Sequence, residues 1–339
     1  MPDGTSIVLK EGTKGIADSA FMSCSGLTNI DIPNSINYIG SLAFMYCIGL
    51  KSIDIPSSIT YIASYAFCYC SGLTSINIPN SVTYIDGHAF ELCSGLTSIN
   101  VPNSVTKICL DAFARTPWYD NQPDGLVYAG LVAYKYKGTM PDGTSITLKE
   151  GTKGIADFAI AFYSGLTNIH IPNSVTNIGC GAFEYCTSLT SVTIPNSVTE
   201  IGSGYSDGAF ESCTGLTSVT CLAVTPPIAG SACFSSRYYD SEPSIYDQAT
   251  LYVPKKSLAA YQTAPAWGGF KTIVGIGDPL PGDINGDGEL SIADVTTIIN
   301  VIILGGKDPA MDVNGDGEVN LADVNMIINM LINRATAIA

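Results

Sequence analysis

One phenylalanine returns every 23 residues, and this spacing limits the chain to very few architectures. Ala-Phe pairs end at Phe21, Phe44, Phe67, Phe90 and Phe113, each 23 residues after the last. They return at Phe183 and Phe210, where a short insertion around Gly202–Asp207 stretches the step to 27. The unit reads roughly Ala-Phe-x-x-Cys-x-Gly-Leu-Thr-x-Ile-x-Ile-Pro-x-Ser-Val-Thr-x-Ile-Gly. Within it Leu73, Ile76 and Ile78 alternate as a short strand, Pro79 ends the strand, and Val82 and Ile85 form a second apolar pair. Such a strand cannot bury its apolar face alone. Stacked coils bury it against their neighbours, so the period predicts a quasi-one-dimensional array with parallel strands.

Composition agrees with a long continuous core. Apolar residues make up 46% of the 339 and charged residues 13%, too apolar for a disordered chain. No stretch reaches the roughly 18 uninterrupted apolar residues of a membrane span.

The repeat residues, with "SGLTSINIPNSVTYIDGHAF" as the clearest run, resemble the BspA-like leucine-rich repeats of bacterial surface proteins over about residues 1–222. A longer repeat overlies the short one. Residues 1–18, MPDGTSIVLKEGTKGIAD, return at 140–157 as MPDGTSITLKEGTKGIAD, and a hairpin-like stretch at 126–139 precedes the second copy. Met1 therefore falls inside a unit. The expectation is a native chain that extends further at its N-terminus, with an export signal there and a cell-surface or extracellular location. Residues 223–276 break the period, with strand-like Ala249–Val253 and Lys271–Ile276 around a helix-like Lys256–Gln262, and they resemble the C-terminal cap of such arrays.

The formal net charge is −15, and it is uneven. Residues 279–339 hold 2 basic and 9 acidic residues, 2 − 9 = −7, against 13 − 21 = −8 for residues 1–278. Such a chain repels nucleic acid and anionic membranes, and a compact acidic cluster points to a metal ion. Asp283, Asn285, Asp287, Ser291 and Asp294 place oxygen donors at positions 1, 3, 5, 9 and 12 of a loop, and Glu289 at position 7 would offer its carbonyl. Asp312, Asn314, Asp316, Glu318, Asn320 and Asp323 repeat the plan 29 residues later. Calcium takes six to eight oxygen ligands, and this spacing wraps them around one ion per loop, two in all. Unpaired carboxylates repel, so calcium is expected to be needed for folding. Each loop leads into an apolar helix, Val295, Ile298, Ile299 and Ile302 in the first and Val324, Ile327, Ile328 and Leu331 in the second.

Two such loops, each followed by one helix and each with Asp at position 12, resemble a type I dockerin over residues 282–333. The resemblance implies a cohesin as partner and recognition at loop positions 10 and 11 and helix positions 17 and 18. Here those are Ile292, Ala293, Ile299 and Asn300, then Leu321, Ala322, Ile328 and Asn329. The hydroxyl and basic pairs usual in that family are absent from both copies.

Of the 11 cysteines, Cys24, Cys47, Cys70, Cys93, Cys186 and Cys213 share one repeat position and read as a buried column of small side chains. Tyr38, Tyr61 and Tyr84 also share a position and form a candidate ligand face for a sugar or a protein. The outward strand positions Asn29, Ser52, Ser75 and Ser98, with Asp31, Asp54, Asn77 and Asn100, make a flat polar sheet suited to extended contact. Catalysis finds little support. The two histidines, His88 and His170, have no nucleophile arrangement around them, and no phosphate loop or zinc motif occurs.

The expected fold is a leucine-rich-repeat solenoid, mainly β with parallel stacked strands and short helical or irregular connections, followed by a small α-helical calcium-binding dockerin-like domain. The expected organisation is repeats over 1–114, a hairpin insertion over 115–139, repeats over 140–222, a cap over 223–276, a linker over 277–281 and the dockerin-like domain over 282–333. The expected function is non-catalytic binding by a monomer. The solenoid presents a face to a host or matrix protein or a glycan, and the tail attaches to a partner such as a cohesin. The alternative is an accessory component of a polysaccharide-degrading complex.

Overall fold

The structure is a computed structural model and describes residues 1–202, 207–235, 244–277, 282–285, 290–304 and 311–338, with side chains to residue 333. The chain divides into two compact units, Met1–Thr139 with Gly154–Ala159, and Met140–Lys153 with Ile160–Ala339.

In the first unit the coils stack through short parallel strands of two kinds, with no strand over residues 50–56. Thr5–Val8 pairs with Leu27–Asp31 and Ser75–Asn77 with Ser98–Asn100, while Gly15–Ile16 pairs with Tyr38–Ile39 and Tyr61–Ile62 with Tyr84–Ile85 and then Lys107–Ile108. A proline starts a turn in each coil, since Ile36, Ile59, Val82 and Val105 each donate to the carbonyl of the proline three residues back. The glycine before the leucine of a coil sits where coils come close. A Cβ on Gly72 would lie 2.5 Å from the carbonyl oxygen of Ile48 in the preceding coil, so only glycine permits that approach.

The interior is a column of phenylalanines. Phe21, Phe44, Phe67, Phe90 and Phe113 stack with centroids 5.3, 5.4, 5.3 and 5.6 Å apart and planes within 10° of parallel. Each such contact stabilises by about 0.5–1.5 kcal/mol beyond the area buried. The N–H groups of Phe21, Phe44, Phe67 and Phe90 reach the alanine carbonyl of the next coil, as in Phe44 to Ala66 at 2.8 Å. The Ala-Phe pair is bracketed by two residues in left-handed conformation, Leu42 and Tyr46 in one coil, Tyr65 and Tyr69 in the next, with φ from +57° to +62°. Their N–H groups point along the array and bond to the next coil, Leu42 to Ser64 at 3.1 Å and Tyr69 to Glu91 at 2.9 Å. Non-glycine residues take this conformation at a cost of about 1–2 kcal/mol, offset by two inter-coil hydrogen bonds per coil.

After Phe113 the regular coil stops. A short helix, Pro117–Asp120, is capped by Thr116, whose hydroxyl accepts from Tyr119 N at 3.2 Å. A hairpin follows, Gly125–Ala129 antiparallel to Val132–Lys137. Its second strand pairs in parallel with Gly154–Ile155, so the hairpin lies against the second copy of the long repeat. Tyr134 is fully buried there, edge-on to Phe113 at 5.4 Å.

The second unit repeats the plan. Thr144–Thr147 pairs with Leu166–His170, Asn177–Ile178 with Glu200–Ile201, and Ser191–Ile194 with Ser218–Cys221. Phe183, Phe210 and Phe234 stack at 5.1 and 5.5 Å. Beyond residue 223 the ladder continues through Thr250–Pro254 and Thr272–Ile276, both parallel, with the helix Leu258–Thr263 between them. Trp267 closes this end, buried, with its indole N–H donating to Pro227 O at 2.8 Å.

The C-terminal region contributes two helices, Ile292–Ile303 and Leu321–Ile338, packed on each other through Val295, Ile298, Val301, Val324 and Ile327, with Ile284 and Met311 completing the core. Ile299 has 36% of its surface exposed, and Val301 is buried. The helix turns 100° per residue, so Ile298 and Val301, three apart, share the inner face, and Ile299 falls beside it.

Candidate functional site

The two acidic loops close the same way although their sequences differ. Asp294 Oδ1 accepts from Ile284 N at 2.8 Å and Asn285 N at 3.1 Å, and its Oδ2 from Ser291 N at 2.8 Å. Asp323 Oδ1 accepts from Val313 N at 2.9 Å and Asn314 N at 3.1 Å, and its Oδ2 from Asn320 N at 2.9 Å. Both carboxylates are fully buried. The aspartate at position 12 therefore ties the start of each loop to its end. Burial raises the Asp323 pKa, but amide donors from Asn320, Asn314, Val313 and its own backbone outweigh it, and the net shift is downward.

Position 9 caps the following helix in each copy. Ser291 Oγ accepts from Ala293 N at 3.1 Å, and Asn320 Oδ1 accepts from Ala322 N at 2.7 Å. With Asp294 reaching back to Ser291 N, the first helix opens on a capping box.

The rest of the second loop folds around Asp312. Its Oδ1 accepts from Gly315 N at 2.8 Å and Asp316 N at 3.0 Å, and its Oδ2 from Gly317 N at 2.8 Å. Asn314 Nδ2 donates to Asp316 Oδ2 at 2.8 Å, and Glu318 N to Asp316 Oδ1 at 2.9 Å. Gly315 and Gly317, at φ +75° and +87°, supply the left-handed turns. So Asp312, Asn314 and Asp316 come together in one turn, and Asn320 and Asp323 in the next. Of the first loop, Asp283, Asn285, Ser291 and Asp294 are described; Asp287 and Glu289, with Gly286 and Gly288, lie outside the described residues.

The donor chemistry fits a hard cation. Every side chain that could reach an ion in the second loop offers oxygen, as calcium requires and zinc does not. Among the described residues no three His, Cys, Asp or Glu side chains converge as a metal cluster, since the carboxylates are turned onto backbone amides.

The positions aligned with dockerin recognition fall on the surface in matched pairs. Ile292 and Leu321 are 73% and 66% exposed, and Ala293, Ala322, Asn300 and Asn329 are exposed as well. Ile299 is exposed, while Ile328 packs partly against the core.

On the first unit the tyrosine column is a ladder. Tyr61 and Tyr84 lie with centroids 5.0 Å apart, and Lys107 Nζ sits 5.4 Å over the Tyr84 ring. Tyr38 lies over Gly15, where a Cβ would fall 1.9 Å from its ring. Sequence reading missed Asp86, which accepts hydrogen bonds from the Tyr61 hydroxyl and, at 3.2 Å, from Tyr84. It also missed two further columns at the left-handed positions, Tyr46 on Tyr69 at 4.4 Å and Tyr65 on His88 at 4.5 Å. Their 23-residue spacing was the available signal. The outward strand face carries an amide ladder, Asn100 Nδ2 to Asn77 Oδ1 at 2.9 Å.

The histidines form no catalytic set. His88 is held between the Tyr65 ring and Glu91, 2.8 Å from Nδ1, with Arg115 3.6 Å from the same carboxylate. His170, exposed at the end of the strand Leu166–His170, lies beside an open cleft of about 410 Å³, and the cleft lining, with Asn168, Ser191, Thr193 and Thr220, includes no carboxylate. No described helix is long and apolar enough to cross a membrane.

Comparison with known families agrees with this geometry. The model of the BspA type leucine rich repeat region matches residues 3–117 and 133–240, and that of the dockerin type I domain matches residues 281–332. No curated protein matches the chain. Among solved structures it is similar to a leucine rich cell surface protein from Faecalibacterium prausnitzii, at 20% identity over 65% of this chain and 88% of that one, TM-score 0.30. A leucine-rich repeat protein from Bacteroides ovatus is 20% identical over 80% and 84%, TM-score 0.29. The pneumococcal vaccine antigen PcpA is 18% identical over 81% and 88%, TM-score 0.30. Repeats of this family and dockerins are non-catalytic modules of binding and assembly, typical of extracellular and surface-associated proteins; dockerins bind calcium and imply a cohesin-type protein partner. With two thirds of its residues matched by the repeat model and its C-terminal loops by the other, the chain belongs to the BspA type leucine-rich-repeat family and carries a type I dockerin domain.

Proposed function

We propose that this protein is a non-catalytic binding component outside the cell, in which the repeat array engages a protein or glycan and the C-terminal module attaches it to a cohesin-type partner. The matched pairs Ile292/Leu321, Ala293/Ala322 and Asn300/Asn329 carry this reading, because two related copies of one surface stand exposed on a module whose core is otherwise closed. In this reading calcium is held by Asp283, Asn285, Asp287, Glu289, Ser291 and Asp294, and by Asp312, Asn314, Asp316, Glu318, Asn320 and Asp323. The ion would supply the positive charge that lets those carboxylates share a small volume. Asp294 and Asp323 would meanwhile keep their amide bonds and hold each loop to its helix. The apolar character of Ile292 and Leu321 favours a partner surface that is itself apolar at those points.

The test is capture of the full chain on immobilised cohesins, with calcium and with chelator. Calcium-dependent retention that falls when Ile292 and Leu321 are both replaced by aspartate supports attachment. No retention on any cohesin leaves the repeat face as the sole binding element. Retention on a cohesin from a polysaccharide-degrading assembly would place the chain as an accessory component of such a complex.

A further inference from the structure

The outward strand positions of the second unit border a cleft that the first acidic loop helps to close. Leu166–His170, Ser191–Ile194 and Ser218–Cys221 belong to successive coils. From these strands Asn168, His170, Ser191, Thr193 and Thr220 line the cleft of about 410 Å³, and Asn285, position 3 of the first acidic loop, lines it as well. Leu222 and Ile276 add aliphatic surface. Asn173 anchors the loop to the array, since its Nδ2 donates to the Ile284 carbonyl. Asn173 is buried there, whereas Asn34, the same residue in the first copy of the long repeat, is exposed.

The lining limits what can enter. Among the described residues it includes no Lys, Arg, Asp or Glu, so nothing there offsets the desolvation of a charged ligand. The net charge of −15 disfavours an anion further. The strand backbones are engaged in the ladder, Ser191 with Ser218 and Thr193 with Thr220, so no edge is open here for a peptide strand to join. The groups that line the cleft are hydroxyls, amides and one imidazole, which as a set both donate and accept. An apolar ligand would cover them and leave them without partners. A neutral, hydroxyl-rich ligand matches them, and the C–H faces of its rings suit Leu222 and Ile276. The volume lies within the roughly 300–1,000 Å³ of small-ligand sites.

We propose that this cleft binds a neutral oligosaccharide. Its sugar hydroxyls exchange hydrogen bonds with Ser191, Thr193, Thr220, His170 and Asn285. The proposal rests on the repeat array being a binding element and names the ligand class that element takes. It does not involve the exposed pairs assigned to the cohesin-type partner.

The test is proton NMR of the full chain, whose two histidines, His88 and His170, give two imidazole Cε1–H signals. Cellotetraose, xylotetraose and maltotetraose are titrated to millimolar concentration, with tetragalacturonate and hexaglycine as the charged and peptide comparisons. At least one neutral saccharide is expected to move the His170 signal saturably while the His88 signal stays in place. Thr193→Trp, which fills the cleft from an exposed strand position, is expected to weaken that response at least about tenfold. Ser75→Trp, on the outward strand face of the first unit, is expected to leave it unchanged. Circular dichroism verifies that each variant folds, and Thr220→Trp serves in place of Thr193→Trp should the latter not fold. A His170 signal unmoved by every neutral saccharide overturns the proposal, as does a response to tetragalacturonate or hexaglycine alone. A response that survives in a folded cleft-filling variant overturns it as well. Failure here leaves capture on cohesins as it stands, and failed capture leaves the His170 titration as it stands.

Discussion

The backbone N–H of Phe113 ends on the phenolic oxygen of Tyr134, 3.0 Å away. In every coil before it, the equivalent N–H of Phe21, Phe44, Phe67 or Phe90 bonds to an alanine carbonyl of the next coil. At Phe113 the regular succession is interrupted, and the hairpin tyrosine supplies the missing acceptor. Tyr134→Phe keeps the ring, its edge contacts with Phe113 and Tyr119, and its burial. It leaves a buried N–H without a partner, which costs about 1–3 kcal/mol. Denaturant unfolding of the variant should show that loss with little change in slope.

The phenylalanine column gives a second expectation. Phe67 is fully buried between Phe44 and Phe90. Phe67→Ala removes two ring contacts and leaves a cavity that the adjoining coils cannot close, for a loss of about 3–5 kcal/mol. Because each coil touches only its neighbours, the array should then unfold in two thermal steps rather than one. Calorimetry distinguishes the two outcomes.

The cysteines follow the same logic. Cys47, Cys70 and Cys93 each donate S–H to the carbonyl of the phenylalanine one coil back, at 3.1, 3.1 and 3.0 Å. Burial pushes the thiols of Cys47, Cys68, Cys93 and Cys186 up to about 12. A raised folded-state pKa means stability that is complete below the unfolded thiol value of about 8.5 and lost as pH rises toward 12. Alkaline titration monitored by circular dichroism should show the array weakening across that window. At pH 8 the same cysteines should resist alkylation until denaturant is added.

Much of this was legible in the sequence, and the limits have physical causes. The Phe, Cys and Pro columns follow from a period that only stacking can satisfy. The left-handed residues were not legible, because Leu42, Tyr65 and His88 carry no local signature; their conformation is imposed by the inter-coil bonds that their N–H groups make. Position 12 of each acidic loop reads as a metal ligand from spacing alone. That Asp294 and Asp323 also bind three loop amides each needed the fold, since those donors lie up to ten residues away.

Asp323 is thus expected to matter with or without an ion. Asp323→Ala removes the acceptor for Val313, Asn314 and Asn320 amides. In a domain this small, a loss of about 2–4 kcal/mol should unfold the C-terminal helices while the repeats keep their transition. Asp316→Ala, at an exposed position, should leave helix content intact in chelator and weaken only the calcium response. Circular dichroism at 222 nm with and without calcium reads both.

The acidic loops are expected to act as a cation-dependent attachment device. Calorimetric titration of calcium chloride into the chelator-stripped full chain tests this most directly. Saturable heat with a stoichiometry of two, accompanied by a gain in helix signal and a loss of both on Asp312→Ala with Asp283→Ala, is the expected result. No heat, with a spectrum identical in calcium and in chelator, would contradict it.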